Sequence, residues 1–273
     1  MKTKNNWCTS NIANRMAHKS TDFIVTLRPY DFDMVNFTQA SENVAFEIAQ
    51  NFPDLYLAFC GGLDSDYLMR LFHRLGIPVT PIIVCYGNEL ENSFAHNTCK
   101  ELKVEPIVMN ITKEEFLHEF KTNINVLADG IGFNSTQPIF AARYVESKSG
   151  TLLMGGHFLG DGDDKINNKL YASLNEWDFY PDLYAPNLNV IDPMMYTPQI
   201  VYSMMPTYEN EGWNTYKHKL YGIPYRPKYK AKYTHEMMNE IYSFRKFKGK
   251  RGYSHYWSKE QFQSLMEPHI ANK

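Results

Sequence analysis

The sequence predicts an α/β protein whose core is a parallel, doubly wound sheet. Short apolar runs alternate with segments of helical spacing between residues 41 and 165. Parallel strands are buried on both faces and are joined by helical crossovers, so this alternation is typical of them. Two of the runs, near residues 55 and 151, also end in a pair of glycines. We therefore expect an arm at 1–40, an α/β core at 41–165, and a mostly helical, aromatic-rich C-terminal region at 166–273.

The individual elements follow from periodicity and from residues that begin or end them. Strands are predicted at the apolar runs 23–27, 55–59, 79–85, 106–110 and 151–154. Helices are predicted at 37–52, from 64 to 75, around 94–102, after 112, at 135–150 and at 197–205. Thr112 and Glu115 form a Thr-x-x-Glu capping box, and Pro138 is expected in the first turn of its helix. Residues 1–20 are expected to be irregular.

Composition narrows the class of protein. The 273 residues are 44% hydrophobic and 21% charged with a net charge of −2, which is typical of a soluble globular protein. This balance gives no global attraction to nucleic acid or membrane. Four cysteines lie at no metal-ligand spacing, which predicts a reduced, cytoplasmic protein. We expect no signal peptide and no membrane span, because no apolar run is long enough.

The stretch 55–67 carries the clearest chemical signal. An apolar run leads into Gly61 and Gly62, and Asp64 and Ser65 then begin a helix. Glycines let the backbone turn tightly and approach a ligand. A helix N-terminus behind such a loop binds phosphate through free N–H groups and the helix dipole. The structural alternative is an ordinary turn between a strand and a helix.

This stretch resembles the Ser-Gly-Gly-x-Asp-Ser loop of the PP-loop ATP pyrophosphatases, also called adenine nucleotide alpha hydrolase-like proteins. That superfamily has a Rossmann-like fold and includes asparagine synthetase and tRNA lysidine synthetase. The resemblance implies that ATP and its pyrophosphate contact the loop residues Cys60, Gly61, Gly62, Leu63, Asp64 and Ser65. The chain departs from the pattern at Cys60, where the family has serine. A thiol is a weaker hydrogen-bond donor than a hydroxyl.

Two further turns match the family by position. In the family the turn after the second core strand holds adenine by backbone contacts, which here assigns Val84, Cys85 and Tyr86. A plain surface turn is the alternative. The second glycine pair, Gly155 and Gly156 with His157, resembles the loop after the fourth strand and is assigned to the ATP site. His157 by itself is equally compatible with a structural role.

Carboxylates follow the second glycine pair, and ATP chemistry requires Mg²⁺, which prefers oxygen ligands. We assign Asp161 as the metal ligand, with Asp64 assisting from the first loop and Asp163 and Asp164 as the next candidates. The alternative is a solvated acidic loop.

A basic segment lies near the C-terminus, within residues 226–251. Residues 248–253, followed by Trp257, are similar to the Arg-x-Lys-x-Gly-Phe segment of asparagine synthetases. By that match Lys250 takes the position of the catalytic lysine that stabilises the charged transition state. Two alternatives remain open, a surface for nucleic-acid phosphates and a solvated charged face.

The resemblance implies an ATP-dependent ligase that releases AMP and pyrophosphate. A substrate carboxylate would be adenylated and then transferred to an amine or ammonia, as in asparagine synthetase, with ATP and Mg²⁺ as cofactors. The residues before 40 are too few for a glutaminase domain, so ammonia would come free or from a partner protein. The alternatives are an enzyme that modifies a nucleobase or tRNA, and a catalytically weakened ATP-binding module.

The C-terminal aromatic residues fit a subdomain core or a substrate pocket.

Overall fold

A computed structural model gives the architecture of the chain. It describes residues 7–10, 25–28, 33–87, 89–123, 133–156, 159–161, 170–175, 181–205, 213–224, 254–257 and 259–266. The strands are β1 (Cys8–Ser10), β2 (Val25–Leu27), β3 (Leu55–Ala58), β4 (Thr80–Cys85), β5 (Ile107–Asn110), β6 (Thr151–Leu153), β7 (Leu159–Asp161), β8 (Leu170–Asn175), β9 (Asn189–Ile191) and β10 (Ser254–Trp257). The helices are α1 (Phe37–Asn51), α2 (Leu63–Arg74), α3 (Glu89–Leu102), α4 (Lys113–Asn123), α5 (Phe133–Ser147), α6 (Pro181–Tyr184), α7 (Pro198–Met204), α8 (Trp213–Tyr221) and α9 (Lys259–Met266), with a 3₁₀ turn at Pro193–Met195.

The core is a parallel sheet with the strand order β5-β4-β3-β6-β9. From β3 the chain steps outward through α2 to β4 and through α3 to β5, then returns through α4 and α5 to β6 on the other side of β3. Connections between parallel strands are almost always right-handed, and for this strand order that rule places α2 and α3 on one face and α4 and α5 on the other. The predicted α/β fold with a doubly wound parallel sheet is therefore confirmed. The sheet continues past residue 165, because its last strand is β9.

The strand order reverses between β3 and β6, and ligands in such sheets bind at the carboxyl ends of the strands beside this reversal. Leu57 of β3 pairs with Pro81 on one side and Leu153 on the other. Both leucines are fully buried, as the continuous apolar runs predict for a central strand. The fold therefore directs attention to the loop that follows β3.

Local signals place several helices where they were predicted. The Thr112 and Glu115 capping box is confirmed: the Glu115 N–H donates to Thr112 Oγ1 at 3.1 Å, and the Thr112 N–H donates to Glu115 Oε2 at 2.8 Å. Helix α7 begins after Thr197, whose hydroxyl oxygen accepts the Ile200 N–H at 3.3 Å. Helix α5 begins at Phe133, two residues before the predicted start, so Pro138 lies in its second turn.

The two ends of the chain contain strands that were not predicted. The expected irregular arm includes β1, which pairs antiparallel with β2. Trp7 beside it is fully buried and donates its indole N–H to the Met195 carbonyl at 2.9 Å. In the C-terminal region β8 pairs antiparallel with β7 and β10. Among the described helices, none has the length and apolar character needed to cross a membrane.

Candidate active site

The glycine loop between β3 and α2 is shaped by its packing against α3. Gly61 has φ +76°, and a Cβ at this position would overlap the Glu91 carbonyl and lie 2.8 Å from the Ala95 nitrogen. Only glycine satisfies both the left-handed backbone and this close approach. Gly62 then precedes the first residue of α2, and no side chain caps that helix end. The first N–H groups of α2 are therefore directed to the position where an anion would bind.

Cys60 folds back onto this loop. The Gly62 N–H donates to Cys60 Sγ at 3.4 Å, and Sγ lies 3.4 Å from Ser65 Oγ. The Ser65 hydroxyl in turn donates to the Gly62 carbonyl at 3.1 Å. Desolvation raises the pKa of the Cys60 thiol, so it is protonated at neutral pH. A weak sulfur acceptor thus holds one of the loop amides.

The second glycine pair lies directly against the first loop. A Cβ on Gly155 would lie 3.0 Å from the Ser65 nitrogen, and a Cβ on Gly156 would overlap the carboxylate of Asp192. Asp192 immediately follows β9. The ends of three neighbouring strands, β3, β6 and β9, therefore meet at one point, as expected for a site at the reversal of strand order.

The carboxyl group of Asp192, at the point where these strands end, has a raised pKa. Its Oδ1 accepts the Met194 N–H at 2.9 Å, and its carboxylate also accepts the Gly156 N–H. Desolvation raises the pKa of Asp192 to about 7, with a smaller contribution from the charge of Asp64; the two backbone donors and Lys217 act in the opposite direction. Asp192 is thus poised between its neutral and charged forms near neutral pH.

Asp64 of the glycine loop forms a buried ion pair with α8. Lys217 Nζ lies 2.5 Å from Asp64 Oδ1 and 2.7 Å from Oδ2. The hydroxyl of Tyr221, one helical turn further, donates to Asp64 Oδ1 at 2.7 Å. Lys217 is 4% exposed and Asp64 is 7% exposed. Burial and the neighbouring Asp64 charge raise the pKa of Tyr221, so its hydroxyl remains a donor.

Aromatic packing holds α8 in this position. The Tyr221 ring stacks on Tyr67 of α2 at a centroid distance of 4.5 Å and packs against Phe37 of α1 at 5.7 Å. The Tyr67 hydroxyl is hydrogen-bonded to Ser41 Oγ at 2.7 Å. The helix ends at Tyr221 and is followed by Gly222, whose φ of +64° is typical of the residue after a helix terminus. The packing fixes Lys217 relative to the glycine loop.

A second polar network fixes α2 to α3 behind the loop. Asp66 is fully buried and accepts the Thr98 hydroxyl at 2.8 Å and the Arg70 Nε–H at 3.3 Å. The Arg70 guanidinium also donates to both carboxylate oxygens of Glu101 at 2.7 Å. Because α3 covers Gly61, this network supports the shape of the loop.

The assigned adenine-side turn follows β4. Val84 and Tyr86 are buried, and the Tyr86 ring stacks on Phe116 at 4.9 Å. The Cys85 carbonyl accepts the Ile111 N–H at 2.8 Å. The side chains of Val84 and Tyr86 therefore belong to the core, and adenine recognition through this turn remains a prediction that concerns its backbone.

Several assigned residues lie outside the described residues: His157, Asp163, Asp164 and Lys250. Asp161 is placed by its backbone in β7, opposite Leu170, and its side chain is not described. Their roles stay predictions. Within the described ranges no group of three or more His, Cys, Asp or Glu side chains is arranged to hold a metal ion.

Asp64 does not fit the metal role in the arrangement observed. Its two carboxylate oxygens already face an ammonium group, and one of them also accepts a hydroxyl. Mg²⁺ requires oxygen ligands at about 2.0–2.1 Å in octahedral geometry. A cation in contact with both oxygens would repel it.

Three residues of the site were not found from the sequence: Asp192, Lys217 and Tyr221. Asp192 follows a short apolar run, so the rule that ligand-binding residues lie at strand ends would have found it. Lys217 and Tyr221 share one helix face by their spacing of four residues, but no local pattern indicates that this face meets Asp64 across 153 residues of chain.

Comparisons with known proteins show similarity to solved structures. No protein-family model matches the chain, and no curated protein matches it. An NMN synthetase from Francisella tularensis is 16% identical over 46% of this chain and 56% of its own, with a TM-score of 0.34. An NH3-dependent NAD synthetase from Campylobacter jejuni is 18% identical over 45% of this chain and 58% of its own, with a TM-score of 0.34. A predicted subunit of tRNA methyltransferase from Methanocaldococcus jannaschii is 17% identical over 76% of this chain and 90% of its own, with a TM-score of 0.40. The chain thus spans a little over half the length of the two synthetases.

Proposed function

We propose that this protein is an ATP-dependent ligase that releases AMP and pyrophosphate. The observation that carries the proposal is the glycine loop after β3, which ends in the uncapped N-terminus of α2 beside the reversal of strand order. Gly61 lets the loop turn tightly against α3, and the amides of α2 provide the hydrogen-bond donors that phosphate oxygens require.

The second glycine pair supports placing the phosphates here. Gly155 packs on the Ser65 backbone, and Asp192 fills the space beside Gly156. A side chain at Gly155 would press on the N-terminus of α2, and one at Gly156 would displace the carboxylate of Asp192. The backbone of Gly155 and of the first turn of α2 therefore borders the position proposed for pyrophosphate. Such a surface stabilises a departing pyrophosphate by position and charge.

In the proposed reaction an oxygen of a substrate carboxylate attacks the α-phosphorus of ATP. The bond between the α-phosphorus and the bridging oxygen breaks, pyrophosphate leaves with that electron pair, and an acyl adenylate is formed. An amine or ammonia then attacks the acyl carbon, AMP leaves, and the nitrogen releases a proton. The nitrogen source is free ammonia or a partner protein, and the carboxylate substrate belongs to the class used by asparagine synthetase.

Lys250 remains the proposed transition-state cation, and Asp161 remains the proposed magnesium ligand. When bound, Mg²⁺ supplies charge neutralisation to the phosphate oxygens. The use of a nucleobase or tRNA as substrate depends on the basic segment 226–251, which lies outside the described residues.

The test is product analysis. The protein is incubated with MgATP, ammonium and a panel of carboxylates, and nucleotides and pyrophosphate are quantified by ion-exchange chromatography. We expect AMP and pyrophosphate in equal amounts with one class of carboxylate. The variant Gly155→Ala tests the site itself, because its added methyl group meets the Ser65 backbone. We expect it to lower turnover at least about tenfold. Formation of ADP and phosphate in place of AMP and pyrophosphate would refute the proposal.

A second candidate is a nucleotide-binding module with weakened catalysis, and one observation favours it. Cys60 Sγ holds the Gly62 N–H and contacts the Ser65 hydroxyl, so two polar groups of the loop are engaged internally. ATP binding by calorimetry without formation of AMP on any carboxylate would favour this candidate. A large gain in turnover on Cys60→Ser would show that the natural loop is compromised at this position.

A further inference from the structure

The carboxylate of Asp64 in the glycine loop is already compensated by a cation of the chain. Lys217 Nζ approaches both of its oxygens, at 2.5 and 2.7 Å, and the Tyr221 hydroxyl donates to Oδ1 at 2.7 Å. The side chains of Lys217 and Asp64 are 5% and 10% exposed. An ion pair so shielded from water is screened little by salt.

The ammonium group is fixed in place by the fold. Lys217 lies one turn before Tyr221 on α8, and Tyr221 is stacked on Tyr67 of α2 at 4.5 Å. Helix α2 also begins at the glycine loop, so the aromatic stack joins the helix that carries Lys217 to the helix that carries Asp64. Separating the pair would leave a buried charge without compensation, which is strongly unfavourable.

The position of the pair matters for anions. Asp64 is the second residue of α2, in the turn whose N–H groups face the proposed pyrophosphate. An uncompensated carboxylate there would repel phosphate oxygens. It would also offset the attraction that the helix dipole exerts on an anion. With Lys217 in contact, the pair has no net charge and adds no repulsion for an anion at the first turn of α2.

We propose that Lys217 takes the charge-compensating place at Asp64 that a divalent cation would otherwise take, so that the glycine loop binds pyrophosphate without a metal at that carboxylate. Lys217 is then a positioning residue that acts through Asp64. The inference rests on the proposed function, since it concerns the same loop, and goes beyond it by removing Asp64 from the metal site. A metal at Asp161, Asp163 or Asp164 is tested separately, by turnover with ATP.

The experiment measures the binding of inorganic pyrophosphate by calorimetry, once with EDTA and once with Mg²⁺. Four proteins are compared: the natural chain, Lys217→Met, the double variant Asp64→Asn with Lys217→Met, and Lys219→Met. Lys219 is exposed on the same helix and controls for the loss of one positive charge. Circular dichroism at the same temperature establishes that each variant is folded. The double variant replaces the ion pair by a neutral pair and keeps the test available if Lys217→Met alone does not fold.

We expect the natural chain and Lys219→Met to bind pyrophosphate in EDTA. Lys217→Met should bind at least about tenfold more weakly in EDTA, because Asp64 is left uncompensated, and Mg²⁺ should restore part of the loss. The double variant should bind in EDTA within a few-fold of the natural chain.

Each contrary result has one meaning. Binding by the natural chain that requires Mg²⁺ overturns the inference and leaves the proposed function intact. A double variant that stays tenfold weaker in EDTA overturns it as well, because Lys217 would then contact the anion directly. A Lys217→Met protein that binds normally in EDTA also overturns it. A natural chain that binds pyrophosphate in neither buffer overturns the proposed function itself.

Discussion

The raised pKa of Asp192 predicts that this carboxyl makes the protein less stable as the pH rises. The folded carboxyl has a pKa of about 7, mainly through desolvation, whereas an unperturbed aspartate has a pKa of about 4. Between those two values the folded chain keeps a proton that the unfolded chain has released. The free energy of unfolding therefore falls with rising pH across this window and is constant above it.

The size of the effect follows from the width of the window. A difference of about three pKa units corresponds to about 4 kcal/mol, and the part above pH 5 is about 2–3 kcal/mol. Because Asp192 is partly accessible to solvent, we expect the lower figure, about 2 kcal/mol between pH 5 and pH 8.

The assay compares urea unfolding of the natural chain and Asp192→Asn at several pH values from 5 to 8. The amide keeps the acceptor for the Met194 N–H but cannot ionise, and it loses one acceptor near Gly156. The absolute stability of the variant is therefore not the readout. The readout is the pH slope, to which histidines contribute equally in both proteins. Glu114→Gln, an exposed carboxylate on α4, is the control for the loss of a charge.

The natural chain should lose about 2 kcal/mol more than Asp192→Asn between the two pH values. Equal slopes in the two proteins would refute the account of a desolvated Asp192 beside the glycine loop. A slope of opposite sign would show that Lys217 and the backbone donors outweigh desolvation at this carboxyl.

Three further predictions concern the loop and its support. Gly61→Ala should lower the free energy of unfolding in urea by at least about 1–2 kcal/mol more than Gly222→Ala does. Both glycines have positive φ, but only Gly61 lacks space for a Cβ. Equal losses of stability would contradict the packing on α3. Thr98→Val should lower the free energy of unfolding by about 1–3 kcal/mol, because it removes a donor from the buried carboxylate of Asp66. A loss of stability below about 0.5 kcal/mol would argue against that network. Cys60→Ser should tighten the binding of inorganic pyrophosphate in calorimetry, because a hydroxyl is a stronger donor than a thiol; weaker binding would mean that the sulfur contact with Gly62 supports the loop.

Much of the core was predictable because its signals are local. A strand buried on both faces must be apolar along its length, and a parallel connection must contain a helix, so β3 to β6 follow from the order of residues. The capping box at Thr112 and the proline after Thr197 mark helix starts in the same way. The strands that were missed, such as β1 and β7, have three residues each, too few to show a period.

The glycine loop could be predicted from the sequence alone. Its signal is local: an apolar run, two glycines that allow close approach of the backbone, and the start of a helix follow one another directly along the chain. The charges that face the loop could not be predicted in this way, because they are brought there by tertiary contacts. Asp64 and Lys217 are 153 residues apart, and their contact depends on how Tyr221 packs on Tyr67, a fit between distant surfaces that no local spacing records.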